Sequence, residues 1–120
     1  MIKKLISSYN KKDDTFVGKV INESGYSADY GISEGVFLGI NKFNIPNSIF
    51  VSNASKVFNI PKNILEYCNI TISIYCNDIL SIKMCVEDFN VFSVKCDNIF
   101  GIPKLNFIFD SNYWYYYLFF

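Results

Sequence analysis

The sequence contains no histidine, no arginine and no glutamine, and its eleven cationic side chains are all lysines. Histidine is the usual proton shuttle near neutral pH and the commonest metal ligand. Arginine supplies the planar, bidentate grip on phosphate and carboxylate groups. An enzyme built from this chain would have to rely on Asp, Glu, Lys, Tyr or Cys alone. These absences favour a protein that is not an enzyme and that holds no metal and no cofactor.

Net charge and long apolar runs are missing as well. The formal net charge is zero and the pI is about 6.2, so no overall positive field attracts a nucleic acid. No apolar run reaches the roughly 20 residues that a membrane-spanning helix needs. The N-terminal segment also lacks the continuous apolar stretch of a secretory signal. The sequence therefore predicts a cytoplasmic protein that binds neither nucleic acid nor membrane.

The four cysteines, Cys68, Cys76, Cys85 and Cys96, form no C-x-x-C pair. Without histidine, no mixed zinc site can be completed around them. They are expected to be free thiols, mostly buried, in a reducing compartment.

The chain is rich in apolar residues, with 51% hydrophobic and 18% aromatic residues among 120. A chain of this length can bury one core without staples, and no linker divides it. We expect a single domain over residues 1–120. The predicted class is α+β, with a mainly antiparallel sheet of about six or seven strands, a meander in the C-terminal half and a few short helices on one face of the sheet.

Hydrophobic periodicity places the elements. Apolar residues from Ile2 to Tyr9 recur with helical spacing, and Pro61 suits the first position of a second short helix. Strands are predicted at Thr15–Ile21, Val36–Ile40, Ser48–Ser52 and, in the C-terminal half, within Ile70–Cys76, Leu80–Val86, Val91–Cys96 and Lys104–Phe109, whereas Glu23–Gly35 is predicted to be a loop.

The alternation on two neighbouring strands also predicts how they pair. A three-residue turn at 77–79 sets Cys76 against Leu80 and Ile74 against Ile82, so that one face of the hairpin is entirely apolar. Continuing this face onto the next strand pairs Phe92 with Val86.

The last eight residues, YWYYYLFF, are too short to cross a membrane as a helix. Their alternation predicts a strand with one face carrying Tyr113, Tyr115 and Tyr117. This tyrosine face is expected either to lie under other elements or to form an aromatic surface that meets another protein.

The tripled motif F-x-I-P occurs at residues 43–46, 58–61 and 100–103 and accounts for all three prolines. Its irregular spacing does not fit a solenoid repeat. Because proline pushes the preceding residue toward extended geometry, each copy is expected to anchor its segment in the core through Phe and Ile, and a new element is expected to begin after it.

The loop predicted at Glu23–Gly35 contains acids and tyrosines but no lysine. Charge complementarity steers protein association, and tyrosine supplies contact area. We therefore predict a partner-binding site formed by Glu23, Tyr26, Asp29, Tyr30 and Glu34.

In size and composition, this small chain rich in Asn, Ile and Tyr, without a catalytic motif, resembles the immunity proteins of bacterial contact-dependent growth inhibition systems. The resemblance implies a protein that binds and blocks one cognate toxin, often a basic nuclease. It covers overall size and composition and carries no motif, so it assigns no site residue.

Two other classes of function stay open. Paired carboxylates can perform acid–base chemistry when burial raises one pKa, and the candidates are Asp29 with Glu34 or Glu87 with Asp88. The protein would then be a small enzyme or ligand-binding domain. The third class is a structural protein of a phage or mobile element.

Overall fold

The computed structural model describes residues 1–23 and 25–111. Most of these residues lie in β-strands, and only two short helices are present in the described part of the chain. The elements are β1 (Ile2–Asn10), β2 (Thr15–Val20), β3 (Ala28–Ser33), β4 (Val36–Ile40), β5 (Pro46–Val51), α1 (Ala54–Phe58), α2 (Lys62–Leu65), β6 (Ile70–Cys76), β7 (Ile79–Val86), β8 (Phe89–Asp97) and β9 (Leu105–Asp110).

The strands form one nine-stranded sheet in the order β3-β4-β5-β2-β1-β9-β6-β7-β8. The sheet curls until its two edge strands, β3 and β8, come near each other, so its shape is nearly that of a barrel. The prediction of a mainly antiparallel sheet with a few short helices is confirmed. The predicted count of six or seven strands is wrong, and the helices, of five and four residues, contribute too little for a balanced α+β architecture.

The N-terminal segment is the strand β1 and not the predicted helix. It pairs antiparallel with β2 and parallel with β9, with Ile2 beside Ile108. The segment forms a strand despite the helical spacing of its apolar residues, because it hydrogen-bonds to a strand on each side. One of these strands, β9, lies more than a hundred residues away in the sequence. The segment Glu23–Gly35, predicted as a loop, also contains the edge strand β3. Its glycine and serine content is typical of a loop and led to the wrong prediction.

The C-terminal meander is confirmed for β6, β7 and β8 only. β9 does not continue it, because β9 pairs with β6 on one side and with β1 on the other. The predicted tail strand with Tyr113, Tyr115 and Tyr117 lies outside the described residues.

The register predicted for the β6–β7 hairpin is confirmed, since Cys76 lies opposite Leu80 and Ile74 opposite Ile82. The predicted register of β8 is wrong by two residues, because Phe92 pairs with Met84. The reason is a tight turn at Glu87 and Asp88, both with positive φ (48° and 70°), followed by a bulge. The shift is even, so the same side chains still face inward.

The core lies inside the curled sheet, and short segments close its two ends. At the upper end, α1 and α2 insert Ala54, Phe58 and Leu65 into the core. At the lower end, Ile102 of the loop 98–104 is buried. The lower end also carries the N-terminus and the loops 21–27 and 41–45.

The three F-x-I-P motifs share one local conformation. Their second residues, Asn44, Asn59 and Gly101, all have positive φ, between 54° and 71°. Asparagine and glycine are the residues that adopt this left-handed conformation most readily. A new element begins at the last residue of the first motif and just after the other two, and the left-handed residue turns the chain before it.

Gly18 is required by close packing on the inner face of β2. A Cβ at this position would lie 3.0–3.2 Å from three side-chain atoms of Leu5, which is fully buried. We expect Gly18→Ala to lower the free energy of unfolding by about 1–2 kcal/mol through overpacking, measured by urea denaturation. Gly31→Ala is the matched control, because a Cβ there meets only the Phe37 ring at 3.6 Å. Equal stability of the two variants would contradict this packing.

Candidate functional site

Of the five residues predicted as one binding site, Glu23 and Asp29 lie next to Tyr26, whereas Tyr30 and Glu34 lie elsewhere. Glu23 is held by Lys3, whose ammonium group lies 2.5 Å from the Glu23 carboxylate. The same ammonium group lies 4.1 Å from the centre of the Phe107 ring. Glu23 therefore neutralises a lysine near the lower end of the sheet and is not an unpaired acid.

Tyr30 and Glu34 are the two predicted residues that lie away from the surface around Tyr26 and Asp29. Tyr30 lies opposite the buried Leu38, so it faces inward, and its ring lies 4.8 Å from that of Phe100. Glu34 is exposed at the β3–β4 turn, five residues beyond Asp29. Because a strand rises about 3.3 Å per residue, roughly 16 Å of extended chain separates the two acids.

Tyr26 and Asp29 are joined by a hydrogen bond, and Glu23 lines the same cleft as Tyr26. The Tyr26 hydroxyl donates a hydrogen bond of 3.2 Å to Asp29 Oδ2. The negative charge of Asp29, together with burial and this bond, raises the pKa of Tyr26. The hydroxyl therefore stays protonated at neutral pH, and the ring remains 69% exposed.

A shallow cleft of about 270 Å³ lies on one side of Tyr26 and is lined also by Lys19, Glu23, Gly25, Asn47 and Ser48. On its other side, Tyr26 shares a depression with Lys42 and Phe43. Aromatic side chains in such positions can fill a partner's pockets, and the polar groups around them can fix its orientation.

We call Tyr26, Lys42 and Phe43 the aromatic rim. Phe43 is 67% exposed, and the Lys42 ammonium group lies 5.2 Å from the centre of its ring. Phe43 was not among the predicted site residues, because the F-x-I-P motif predicted a core anchor, and for this copy that prediction is wrong. Asn44, a residue type that favours turns, was the available sequence signal of a turn tip.

The surroundings of Tyr26 are not purely acidic, as the isolated loop sequence suggested. β2 places Lys19 beside Tyr26, and the β4–β5 turn places Lys42 there. Both lysines lie just outside Glu23–Gly35, on another strand and another turn, so a prediction from that segment alone could not include them.

A buried carboxylate, Asp14, lies at the upper end of the sheet. It accepts hydrogen bonds from the Tyr9 hydroxyl at 2.6 Å, the Ser55 hydroxyl at 2.6 Å and the Ser55 amide at 2.9 Å. These bonds hold α1 against the β1–β2 turn. The Asp14 carboxylate is thus occupied by structural donors.

The pKa values of this cluster follow from the same contacts. Burial alone would raise the pKa of Asp14, but the bonds from Ser55 and Tyr9 and the charge of Lys62 hold it below 3.8. Burial, the bond to Asp14 and the charges of Asp14 and Glu66 raise the pKa of Tyr9 to about 12. Neither group is tuned for proton transfer near pH 7.

In the second predicted acid pair, Glu87 has a structural role. Glu87 Oε1 accepts a hydrogen bond of 2.9 Å from the Asn69 amide, which fastens the β7–β8 turn to the start of β6. Within residues 1–23 and 25–111, no group of three or more Cys, Asp or Glu side chains is arranged to hold a metal ion.

All four cysteines are free thiols, as predicted, though only Cys76 is fully buried. Burial raises the pKa values of Cys68, Cys76 and Cys96, which keeps these thiols protonated and weakly nucleophilic. They provide no activated nucleophile.

No described helix is long and apolar enough to span a membrane. No family model matches the chain, and no curated protein or solved structure resembles it at a significant level.

Proposed function

We propose that this chain is a protein-binding module, and specifically an immunity protein that binds and blocks a cognate toxin in the cytoplasm. The observation that supports this proposal is the aromatic rim, where Tyr26 and Phe43 are both about two-thirds exposed. Exposure of large aromatic side chains to water is unfavourable, and such side chains are enriched among the residues that dominate protein–protein binding energy.

The distribution of acids makes the binding hypothesis preferable to the enzymatic one. Asp29 and Glu34 are separated along an extended strand, Glu23 is paired with Lys3, and Glu87 is bonded to the backbone. In each pair named as a catalytic candidate, the two acids are therefore either far apart or include one carboxylate that is engaged in a structural hydrogen bond. An acid–base pair needs both groups within reach of one substrate.

Within the proposed site, Tyr26 acts as the anchor, and Asp29 orients its ring through the hydroxyl. Lys42 and Phe43 extend the contact surface. A toxin that binds here would insert an apolar or aromatic group between Tyr26 and Phe43 and place polar groups toward Lys19 and Lys42.

The test is a pull-down and titration with the product of the neighbouring gene. We expect the double variant Tyr26→Ser/Phe43→Ser to weaken the complex by at least about 30-fold, the effect of losing roughly 2 kcal/mol at a hot spot. Tyr67→Ser is the matched control, because Tyr67 is even more exposed but follows α2 at the upper end of the sheet. A complex that is unaffected by the double variant would refute the rim as the binding site.

A further inference from the structure

The outer face of strands β3, β4, β5 and β2 carries two parallel rows of side chains. Directly paired residues lie on the same face of a sheet, so the register defines both rows. The apolar row is Gly31, Phe37, Phe50 and Val17, and the polar row is Asp29, Gly39, Ser48 and Lys19, each given in the order β3-β4-β5-β2.

The apolar row exposes two large aromatic rings. Phe37 and Phe50 are 37% and 36% exposed, and their ring centres lie 6.0 Å apart. They cannot turn inward, because the inner face is already filled by Leu38, Ile49 and Val51. Gly31, which has no side chain, lies on one side of the two rings. Val17, whose side chain points out from the outer face, lies on the other side.

The polar row ends in opposite charges. Asp29 and Lys19 are separated by three strand spacings, about 14 Å, so they do not meet within one chain. The side-chain ion pairs identified in the described part of the chain join Lys3 with Glu23 and Lys11 with Glu66. Lys19 thus presents its charge outward at one end of the row.

We propose that this face binds a second copy of the chain through a twofold axis. The axis lies between the two copies, above the outer face, and runs parallel to the strands over the gap between β4 and β5. Such a rotation exchanges β4 with β5 and β3 with β2. It places Phe37 of one copy against Phe50 of the other, and the gap over Gly31 against Val17. It also places Lys19 against Asp29, twice.

The match is a property of the rows and not of one chosen pair. An isologous interface requires that each half of the patch complement the other half, and both rows meet this condition about the same axis. Asp29 can accept from Lys19 of the second copy while it holds the Tyr26 hydroxyl, since a carboxylate accepts several hydrogen bonds.

The size of the patch sets the expected affinity. Four strands by about five residues cover on the order of 300 Å² of sheet per copy, which is below a standard stable interface. We therefore expect a weak, concentration-dependent dimer with a dissociation constant in the micromolar range or above. Salt should weaken the dimer further, because both ion pairs lie near the solvent-exposed edge of the interface.

The twofold also fixes how the aromatic rims are presented. Because the axis is parallel to the strands, the lower ends of both copies point in the same direction. A dimer would display two aromatic rims side by side. The two proposals share Asp29 and Lys19, and Tyr26 borders the polar row. Lys42 and Phe43 lie outside both rows, so the double variant of the rim and the charge-exchange variants test the two proposals separately.

Charge exchange between two variants tests the axis directly. In Lys19→Asp, two carboxylates meet at each end of the polar row, and in Asp29→Lys, two ammonium groups meet there. We expect each variant alone to weaken self-association about tenfold or more. Mixed in equal amounts, the two variants should form a heterodimer in which both opposite-charge contacts are restored.

Sedimentation velocity from about 1 μM to about 1 mM measures these masses, and circular dichroism checks that each variant folds. Lys83→Asp is the matched control, because Lys83 lies on the outer face of β7, away from both rows. It should self-associate like the parent protein. A parent protein that stays monomeric over the whole range would overturn the proposal, and so would two weakened variants that fail to associate when mixed.

Discussion

Replacing Phe109 with alanine is expected to lower the free energy of unfolding by about 4 kcal/mol. Phe109 has no exposed surface, and removing a fully buried phenylalanine side chain costs 3–5 kcal/mol through lost transfer energy and the cavity that remains. Its ring lies 6.1 Å from that of Phe107, and its strand partners are Ile72 on β6 and Lys3 on β1.

The position of Phe109 in the topology adds to the expected effect. β9 is the strand that joins the half-sheet β3-β4-β5-β2-β1 to the half-sheet β6-β7-β8. A cavity at Phe109 lies beneath this junction, where the surrounding strands are held on both sides and can collapse only partly. We therefore place the expected loss in the middle of the range and not at its lower end.

Ile108→Ala is the matched control, since Ile108 is the next residue but faces outward, beside Ile2 and Ser73. It is only partly buried, and we expect a loss of less than about 1 kcal/mol. Urea denaturation monitored by circular dichroism measures both variants. If Ile108→Ala were the more damaging change, the register of β9 would be shifted by one residue and its faces exchanged.

The contrast between β7 and β9 shows what the sequence could reveal about the fold. The β6–β7 pairing is local, and its alternation of apolar and polar residues admits one register that keeps one face apolar. The neighbours of β9 depend on a contact between residues 2 and 108. No pattern within a short window encodes that contact, because strand pairing at this distance is selected by the whole core.

The two misassigned segments fail for different physical reasons. In β1, apolar residues at Ile2, Leu5 and Ile6 fit a helical period, and only the presence of strand partners on both sides decides against the helix. In β3, the outward positions Asp29, Gly31 and Ser33 are polar or small because this is an edge strand. A composition typical of loops is therefore also typical of such an edge.

The candidate site was predictable to the same local extent. Tyr26 and Asp29 are three residues apart, and their proximity follows from the segment itself. The pairing of Glu23 with Lys3, and the arrival of Lys19 beside Tyr26, come from other strands of the sheet. The charge around a side chain in a folded protein depends on its neighbours in space. The acidic composition of the loop sequence therefore did not predict the mixture of acids and lysines around Tyr26.

Replacing Asp14 with alanine is expected to lower the free energy of unfolding by about 3 kcal/mol. Asp14 is only 7% exposed, and its carboxylate accepts three hydrogen bonds from Tyr9 and Ser55. Alanine leaves these donors without their acceptor in a partly buried place. Each unsatisfied group costs about 1–3 kcal/mol, reduced here where water can enter.

Asp13→Ala is the matched control in the same turn. Asp13 is exposed, and its carboxylate accepts a single hydrogen bond of 3.1 Å from the Asn10 side chain. We expect it to change stability by less than about 0.5 kcal/mol. A comparable loss in both variants would mean that the turn, and not the Asp14 carboxylate, stabilises the docking of α1.

The pH dependence distinguishes the charge of Asp14 from its shape. Because the pKa of Asp14 is lowered in the folded state, the unfolded chain binds more protons between that pKa and about 4, and stability rises with pH across this window. The contribution is fully present above pH 4 and disappears as the pH falls through the folded-state pKa. Asp14→Asn, which keeps the shape but loses the ionised form, should lack this part of the acid transition.

The stability gap between the parent protein and Asp14→Asn should therefore narrow as the pH falls from 7 through the acid transition. Urea denaturation at a series of pH values measures this gap. A gap that stays constant would show that Asp14 acts only through the geometry of its hydrogen bonds. In that case the backbone of Asp14 would have to hold α1 in place, whatever the charge of the side chain. This backbone is left-handed, with φ of 55°, and its carbonyl accepts a hydrogen bond of 2.9 Å from the Ala54 amide.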